Sequence, residues 1–286
     1  MPISPHLPPS SFLLVLLFFS SSSTSIIATT SSSSSASAAD SFVFGGCSQL
    51  KFPPASPYEA NVNSLLTSLL NSAAFSNYNN FTVPASSSSS SQDTLYGLFQ
   101  CRGDLAAAEC SRCVSRAVAR LGALCPGACG GALQLHGCFV KYDNATFLGV
   151  EDKAEVMRKC GPSIGLTSDA LTARDAVLAN LGASDGGFRI TSSGDVQGVA
   201  QCVGDLSAGE CGDCVSDAIQ RLRMECGAGA WGEMYLAKCY ARYFQRGYHS
   251  PTGNDDDSSR NDEEVEKTLA ILLGLIAGAH TKFTVR

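Results

Sequence analysis

A duplicated cysteine pattern restricts the fold of this 286-residue chain more than any other feature. Cys101, Cys110 and Cys113 have the spacing C-x8-C-x2-C, and the same spacing recurs 101 residues later. The repeat also includes non-cysteine positions, and its second copy contains Cys202, Cys211, Cys214, Cys226 and Cys239, which match Cys101, Cys110, Cys113, Cys125 and Cys138. A constant offset of this kind predicts two copies of one small domain.

The number of cysteines indicates an oxidising compartment. The chain has 13 cysteines, a density that a reducing cytosol rarely keeps as a framework. Zinc and thioredoxin-like redox chemistry are weaker interpretations, because each unit has only one C-x2-C pair and no βαβ pattern surrounds it. We therefore expect disulfides, with no metal and no cofactor. The net charge of -6 argues against a nucleic-acid partner, which would require a basic face.

The N-terminus predicts export. Residues 12–19 form an apolar run too short to span a membrane, and a Ser/Thr-rich stretch follows it and ends at 36–39 in Ala-Ser-Ala-Ala. Together these features resemble a secretory signal. The sequons at Asn80 and Asn144 would then be glycan acceptors on surface loops.

Hydrophobic periodicity predicts an α+β domain. Residues 58–74 have apolar side chains at helical spacing, with Pro57 just before them. A second helix should follow the motif and place both cysteines of the C-x2-C on its buried face. Its counterpart begins with a capping box of Ser207 and Glu210, whereas the first copy has Ala106 in place of the serine. Single strands are predicted at 41–46 and 93–101, strand pairs at 132–142 and 233–243, and a further helix at 167–181. Several antiparallel strands with two helices make one sheet and its covering layer.

The predicted organisation has five segments. A signal and serine-rich segment covers 1–39, the first domain 40–148 and the second domain 153–248, followed by an acidic stalk at 249–267 and an anchor-like segment with its tail at 268–286. The apolar part of that last segment would span roughly 16 Å as a helix, about half of a bilayer's hydrocarbon core. We expect it to be a truncated membrane anchor.

The sequence has no nucleophile–base constellation and no phosphate-binding loop, so we expect no enzymatic activity. His136 is interpreted as a packing or surface residue of a strand. Asp104 and Asp205 each follow a glycine before a helix, where a turn and a cap require such residues. An aromatic group could form a sugar-stacking face, although its spacing favours core positions: Trp231, Tyr235, Tyr240 and Tyr243.

These cysteine spacings resemble those of the plant cysteine-rich repeat secretory domain, also called the stress-antifungal or ginkbilobin-like domain. The resemblance implies two tandem domains, each a five-stranded antiparallel sheet packed against two helices and held by three disulfides. By position it implies the pairs Cys47–Cys125, Cys101–Cys110, Cys113–Cys138, Cys160–Cys226, Cys202–Cys211 and Cys214–Cys239. Spacing alone leaves the pairing open. Cys129 is left over, either as a buried thiol or as the site of an intermolecular bridge.

Two domains followed by an acidic stalk and an anchor resemble the plasmodesmata-located proteins. This resemblance implies a type I plasma-membrane protein at plasmodesmata that regulates cell-to-cell trafficking, including callose deposition. Its partners would be cell-surface or cell-wall proteins or glycans, including further copies or relatives of the chain in homo- or hetero-oligomers. A truncated anchor would instead release the protein to the apoplast.

The alternative is a secreted carbohydrate-binding antifungal or defence protein. Mannose-binding members of the family have Asn, Arg and Glu at three positions, which here are Ser48, Ala132 and Asp143, and in the second unit Gly161, Glu233 and Phe244. The triad is absent from both units, so mannose binding by that site is not expected.

Overall fold

The computed structural model describes residues 38–84, 94–163, 168–183 and 187–248. Each repeat folds as one five-stranded antiparallel sheet with two helices, which confirms the predicted fold. Most of the predicted signal segment, the serine tract at 86–91, the stalk and the anchor-like segment lie outside the described residues. Within the described residues, no helix combines the length and apolar character that crossing a bilayer requires.

The first domain starts with a 3-10 turn at Ala38–Asp40. Its strands are β1 Phe42–Cys47, β2 Tyr78–Val83, β3 Leu95–Cys101, β4 Gly131–Leu135 and β5 Cys138–Asp143, in the sheet order β1-β4-β5-β3-β2. Its helices are α1 Pro57–Ser72 and α2 Ala107–Leu124. Helix α1 begins with Pro57 itself, and the Ser56 hydroxyl accepts a hydrogen bond from the Glu59 amide at 3.3 Å. The proline therefore takes a first-turn position, where its missing N–H costs nothing.

The second domain repeats this arrangement. Its strands are β6 Glu155–Cys160, β7 Phe188–Ser193, β8 Val196–Cys202, β9 Trp231–Leu236 and β10 Cys239–Gln245, in the order β6-β9-β10-β8-β7. Its helices are α3 Ser168–Gly182 and α4 Ala208–Glu225. The capping box at the start of α4 is present, because the Ser207 hydroxyl accepts from the Glu210 amide and the Glu210 carboxylate accepts from the Ser207 amide. At α2 only the carboxylate half remains, from the Ala106 amide to Glu109 at 3.1 Å.

Disulfides attach the second helix of each domain to its sheet. In the first domain α2 is joined to β3 by Cys101–Cys110 and to β5 by Cys113–Cys138, while Cys125 at the helix C-cap is joined to Cys47 in β1. The second domain has the matching pairs Cys160–Cys226, Cys202–Cys211 and Cys214–Cys239. All six pairs are those that the family resemblance implies. The C-x2-C spacing works because residues three apart share one helix face and so reach two neighbouring strands.

Candidate functional site

The sheet faces that the helices leave uncovered pack against each other, and this interface between the domains is the candidate functional site. Side chains alternate along each central strand, so in β3 Leu95 and Phe99 pack under the helices while Leu98 faces the other domain. The buried cluster between the domains contains Val43, Phe44, Leu98, Phe139, Phe147, Met157, Val199, Val203, Tyr235 and Tyr240. Both faces of the central strands are therefore buried.

Equivalent residues of the two repeats make equivalent contacts across the interface. A Cβ atom added to Gly103 would lie 2.5 Å from the Phe188 ring of the second domain, and one added to Gly204 would lie 2.8 Å from the Tyr78 ring of the first. Tyr78 and Phe188 hold the same place in their sheets, opposite Gln100 and Gln201. Each domain thus inserts an aromatic ring against the motif glycine of the other, as in a pseudo-two-fold contact.

Hydrogen bonds from the two repeated glutamines also cross the interface. The side-chain Nε2 of Gln201 donates to the backbone carbonyl of Cys101 at 2.9 Å, and the side-chain Oε1 of Gln100 accepts from the backbone N–H of Gly204 at 2.9 Å. The sequence alone assigns these glycines, which precede Asp104 and Asp205, to a turn. The turn exists, since the Leu105 amide donates to the Arg102 carbonyl. However, Gly103 and Gly204 do not have positive φ, so close approach of a ring is the reason for glycine.

A cluster of charged residues is buried at the edge of the interface. The Arg242 guanidinium lies 3.9 Å from the Glu233 carboxylate and 2.6 Å from Nδ1 of His136 in the other domain. Arginine only donates, so His136 must accept through Nδ1 and is the neutral tautomer with its proton on Nε2. Burial, followed by the nearby charges of Arg242 and Arg102, lowers the pKa of His136 to about 3. Burial raises the pKa of Glu233, although Arg242 opposes this.

A second ionic contact holds the segment that joins the domains, which runs from the end of β5 at Asp143 to the start of β6 at Glu155 and which we call the linker. The Lys238 ammonium bonds the Asp205 carboxylate and donates to the Phe147 carbonyl at 2.7 Å, and the Gly149 amide donates to Asp205 at 2.9 Å. Both side chains of the ion pair are almost fully buried. The linker is therefore fixed to the second domain by main-chain contacts as well as by the buried Phe147 ring.

The cavity at this interface is small. It has a volume of about 30 Å³ and is lined by both domains, including Phe44, His136, Gln201 and Tyr240. Such a volume holds one or two water molecules and no organic ligand. The space between the two domains is therefore filled almost completely by their own side chains.

The structure corrects two interpretations from the sequence and confirms a third. His136 lies in the two-residue connection between β4 and β5 and not in a strand, although its packing role is confirmed by the Arg242 contact. Neither Asp104 nor Asp205 caps a helix, because the N-caps are Ala106 and Ser207. Asp104 instead pairs with the Arg102 guanidinium at 2.6 Å. The proposed sugar-stacking residues are all buried, as the core interpretation predicts: Trp231, Tyr235, Tyr240 and Tyr243.

The positions of the family's mannose triad are occupied by other contacts. In the second domain the Trp231 ring lies over Gly161, where an added Cβ would come within 2.5 Å, and Glu233 is buried beside Arg242. In the first domain the Ser48 hydroxyl accepts from the Leu50 amide at 3.2 Å, and the Asp143 carboxylate accepts from the Ala145 amide at 3.0 Å. These side chains satisfy local backbone groups.

The remaining predicted residues lie apart from the interface cluster. Asn144 follows β5 in a bend, as a surface-loop sequon should, whereas Asn80 is exposed within the edge strand β2 and not in a loop. Cys129 is buried outside the six disulfides, and its carbonyl accepts from the Tyr58 hydroxyl at 2.8 Å. Among the described residues, no group of three or more His, Cys, Asp or Glu side chains is arranged to hold a metal ion.

Comparison with known proteins gives consistent matches across the two domains. The sequence profile of the family described as salt stress response/antifungal matches residues 46–145 and 165–246. The chain is 60% identical to Plasmodesmata-located protein 6 of Arabidopsis thaliana over 84% of its own length and 85% of the relative's. It is 56% identical to Plasmodesmata-located protein 7 of the same plant, over 84% of this chain and 79% of that one.

A solved structure has the same two-domain arrangement. The tandem DUF26 ectodomain of the Arabidopsis thaliana cysteine-rich receptor-like protein PDLP5 superposes with a TM-score of 0.68 at 49% sequence identity. The match covers 71% of this chain and 98% of that one.

Proposed function

Because the chain belongs to the salt stress response/antifungal family and, within it, to the plasmodesmata-located proteins, we propose that it regulates cell-to-cell trafficking through plasmodesmata. It acts there as a non-enzymatic extracellular interaction module, in part by controlling callose deposition. The observation that carries this proposal is the 60% identity to Plasmodesmata-located protein 6 across both domains. The close packing of the two domains supports it, since a well-defined outer surface suits recognition of cell-surface or cell-wall partners.

The experiment expresses the full chain in leaf epidermis with a fluorescent protein inserted in the stalk region at 249–267. We expect label in wall-spanning puncta that coincide with callose staining, and reduced spread of a small diffusible fluorescent protein between cells. Even plasma-membrane label, or unchanged spread at equal expression, would contradict the proposal.

A matched pair of variants tests whether the effect on spread requires the folded second domain or only the presence of the chain. Replacing both Cys214 and Cys239 by serine removes one helix-to-strand disulfide, and we expect it to abolish the effect on spread. The Ala106→Ser variant changes only an exposed helix cap and should act as the wild type does.

The rival function, a secreted mannose-binding defence protein, predicts mannose capture by the purified chain on a glycan array. The contacts made by Trp231, Gly161 and Glu233 argue against it.

A further inference from the structure

Helix α2 presents a row of exposed arginines on the outer face of the first domain. Arg112, Arg116 and Arg120 are spaced four residues apart and therefore lie along one side of the helix, which we call the arginine stripe. The side chains of Arg112 and Arg116 are 46% and 41% exposed. One carboxylate, Asp40, lies nearby, at 3.3 Å from Arg116, and Arg120 lies over the Phe42 ring at 4.2 Å.

Helix α4 has the opposite charge at two of the same three positions. Asp213 and Asp217 replace Arg112 and Arg116 at the repeat offset, and together they form the carboxylate stripe. Glu151 and Glu155 lie beside this stripe: Glu155 is 3.8 Å from Arg221, and Glu151 is 2.7 Å from Lys153. Arg221 also pairs with Asp217 at 3.0 Å, and Arg158 contacts both Glu155 and Glu225. Five carboxylates thus lie among three cations on this face.

The charge reversal is matched inside each domain. The backbone N–H of His136 donates to the Ser41 carbonyl, and at the repeat offset the N–H of Ala237 donates to the Ala154 carbonyl. Ala154 is therefore the counterpart of Ser41. The residue before it, Lys153, is the counterpart of Asp40. An acid therefore sits among arginines in one repeat, and a lysine among carboxylates in the other. Neither face is neutral, because three arginines accompany one carboxylate at α2, and five carboxylates accompany three cations at α4.

The two stripes cannot meet within one molecule. Both helices cover the sheet faces that point away from the interface between the domains, so the arginine stripe and the carboxylate stripe lie on opposite outer faces. They can meet only when α2 of one molecule approaches α4 of another.

We propose that copies of this chain associate head to tail, with the arginine stripe of one copy against the carboxylate stripe of the next. When the helices are aligned in repeat register, Arg112 faces Asp213 and Arg116 faces Asp217. An apolar contact adds to these pairs, because Met224 of α4 is 66% exposed at the position where α2 has the small residue Ala123. Such a contact is heterologous and continues into rows or rings of molecules. It goes beyond the trafficking role proposed above and does not depend on it.

Ionic strength provides the first test. The full chain, exported by a secretory host and purified with its disulfides intact, is examined by sedimentation velocity at rising protein concentration. We expect association in low salt that falls steeply as salt approaches 0.5 M, since exposed charges are screened over about 10 Å at 0.1 M and less above it. A chain that stays monomeric in low salt, or whose association is insensitive to salt, would overturn the proposal.

Charge-reversed variants provide the specific test, and the chain itself supplies their compensating residues. Variant one carries Asp40→Lys, Arg112→Asp and Arg116→Asp, and variant two carries Lys153→Asp, Asp213→Arg and Asp217→Arg. Each keeps an internal ion pair of the kind already present in the other repeat. Alone, each has two faces of like charge, and its self-association should weaken more than about tenfold.

Mixing the two variants should restore association, because one has two acidic faces and the other two basic faces. Failure of the mixture to associate, with both variants shown to be folded by circular dichroism, would refute the head-to-tail contact. If a reversed variant does not fold, the neutral pair Arg112→Gln and Arg116→Gln must still weaken association for the proposal to stand.

Discussion

Gly103 tests whether the two domains are pressed together as closely as the structure indicates. In the Gly103→Ala variant the new methyl carbon would lie 2.5 Å from Cγ and 2.8 Å from Cβ of Phe188. Because Cβ is attached to the backbone of β7, the ring cannot move aside by rotation alone, and the domains must shift. Overpacking of this kind costs about 1–3 kcal/mol, whereas the lower entropy of the unfolded alanine chain returns about 0.4–1 kcal/mol. We expect a net loss of about 1–2 kcal/mol in the free energy of unfolding.

The assay is denaturant unfolding followed by circular dichroism, with all disulfides intact. Gly209→Ala is the matched control, because a methyl group at Gly209 in α4 meets no atom within 4 Å and should stabilise the helix by up to about 1 kcal/mol. Gly204→Ala should resemble Gly103→Ala, since it meets the Tyr78 ring in the same way.

A double-mutant cycle with Phe188→Ala identifies the contact responsible. The cost of Gly103→Ala should largely disappear when the ring is absent, which gives a coupling energy of about 1 kcal/mol or more. Equal stability of Gly103→Ala and Gly209→Ala, or strict additivity in the cycle, would refute the close packing inferred between the domains.

Three further predictions concern the disulfides, the buried histidine and the helix cap. The disulfide Cys47–Cys125 joins residues 78 positions apart, whereas Cys101–Cys110 joins residues 9 positions apart. Removing the first should destabilise the protein by about 1.8 kcal/mol more than removing the second, because the unfolded chain gains more entropy when the longer loop is opened. The denaturant midpoints of the two double-serine variants check this. His136 has a pKa of about 3 in the folded protein, below its unfolded value of about 6.5, so between these values only the unfolded chain binds the proton. The free energy of unfolding therefore has its full value above pH 6.5 and decreases as the pH falls toward 3, by at most about 1.4 kcal/mol per pH unit. His136→Asn, which keeps an acceptor for Arg242, should flatten this part of the pH–stability curve, and an unchanged slope would contradict the assignment. Ala106→Ser should complete the capping box of α2 and raise the free energy of unfolding by about 1 kcal/mol, a gain that thermal unfolding would detect and that Ala108→Ser, inside the helix, should not give.

The sequence by itself determined which helices and strands each domain contains and which of their faces are buried. The repeat offset, the helical spacing of residues such as Leu65 and Leu69, and the cysteines three apart on α2 are local patterns, and local patterns fix helices, strands and buried faces. The family resemblance added the pairing of the cysteines, which spacing leaves open. The interpretation of Trp231 and the tyrosines as core residues also followed from their alternation along strands.

Only the tertiary structure decided how the two domains meet and what their repeated residues do there. A glycine before a helix looks the same in the sequence whether a turn requires it or an aromatic ring from another domain packs against it. At Gly103 the ring is the reason, because Phe188, 85 positions later in the chain, lies against it. His136 and Arg242 likewise show no periodic relation along the chain, yet their nitrogens lie 2.6 Å apart. Contacts between distant segments depend on the relative placement of whole sheets, and no short-range pattern encodes that placement.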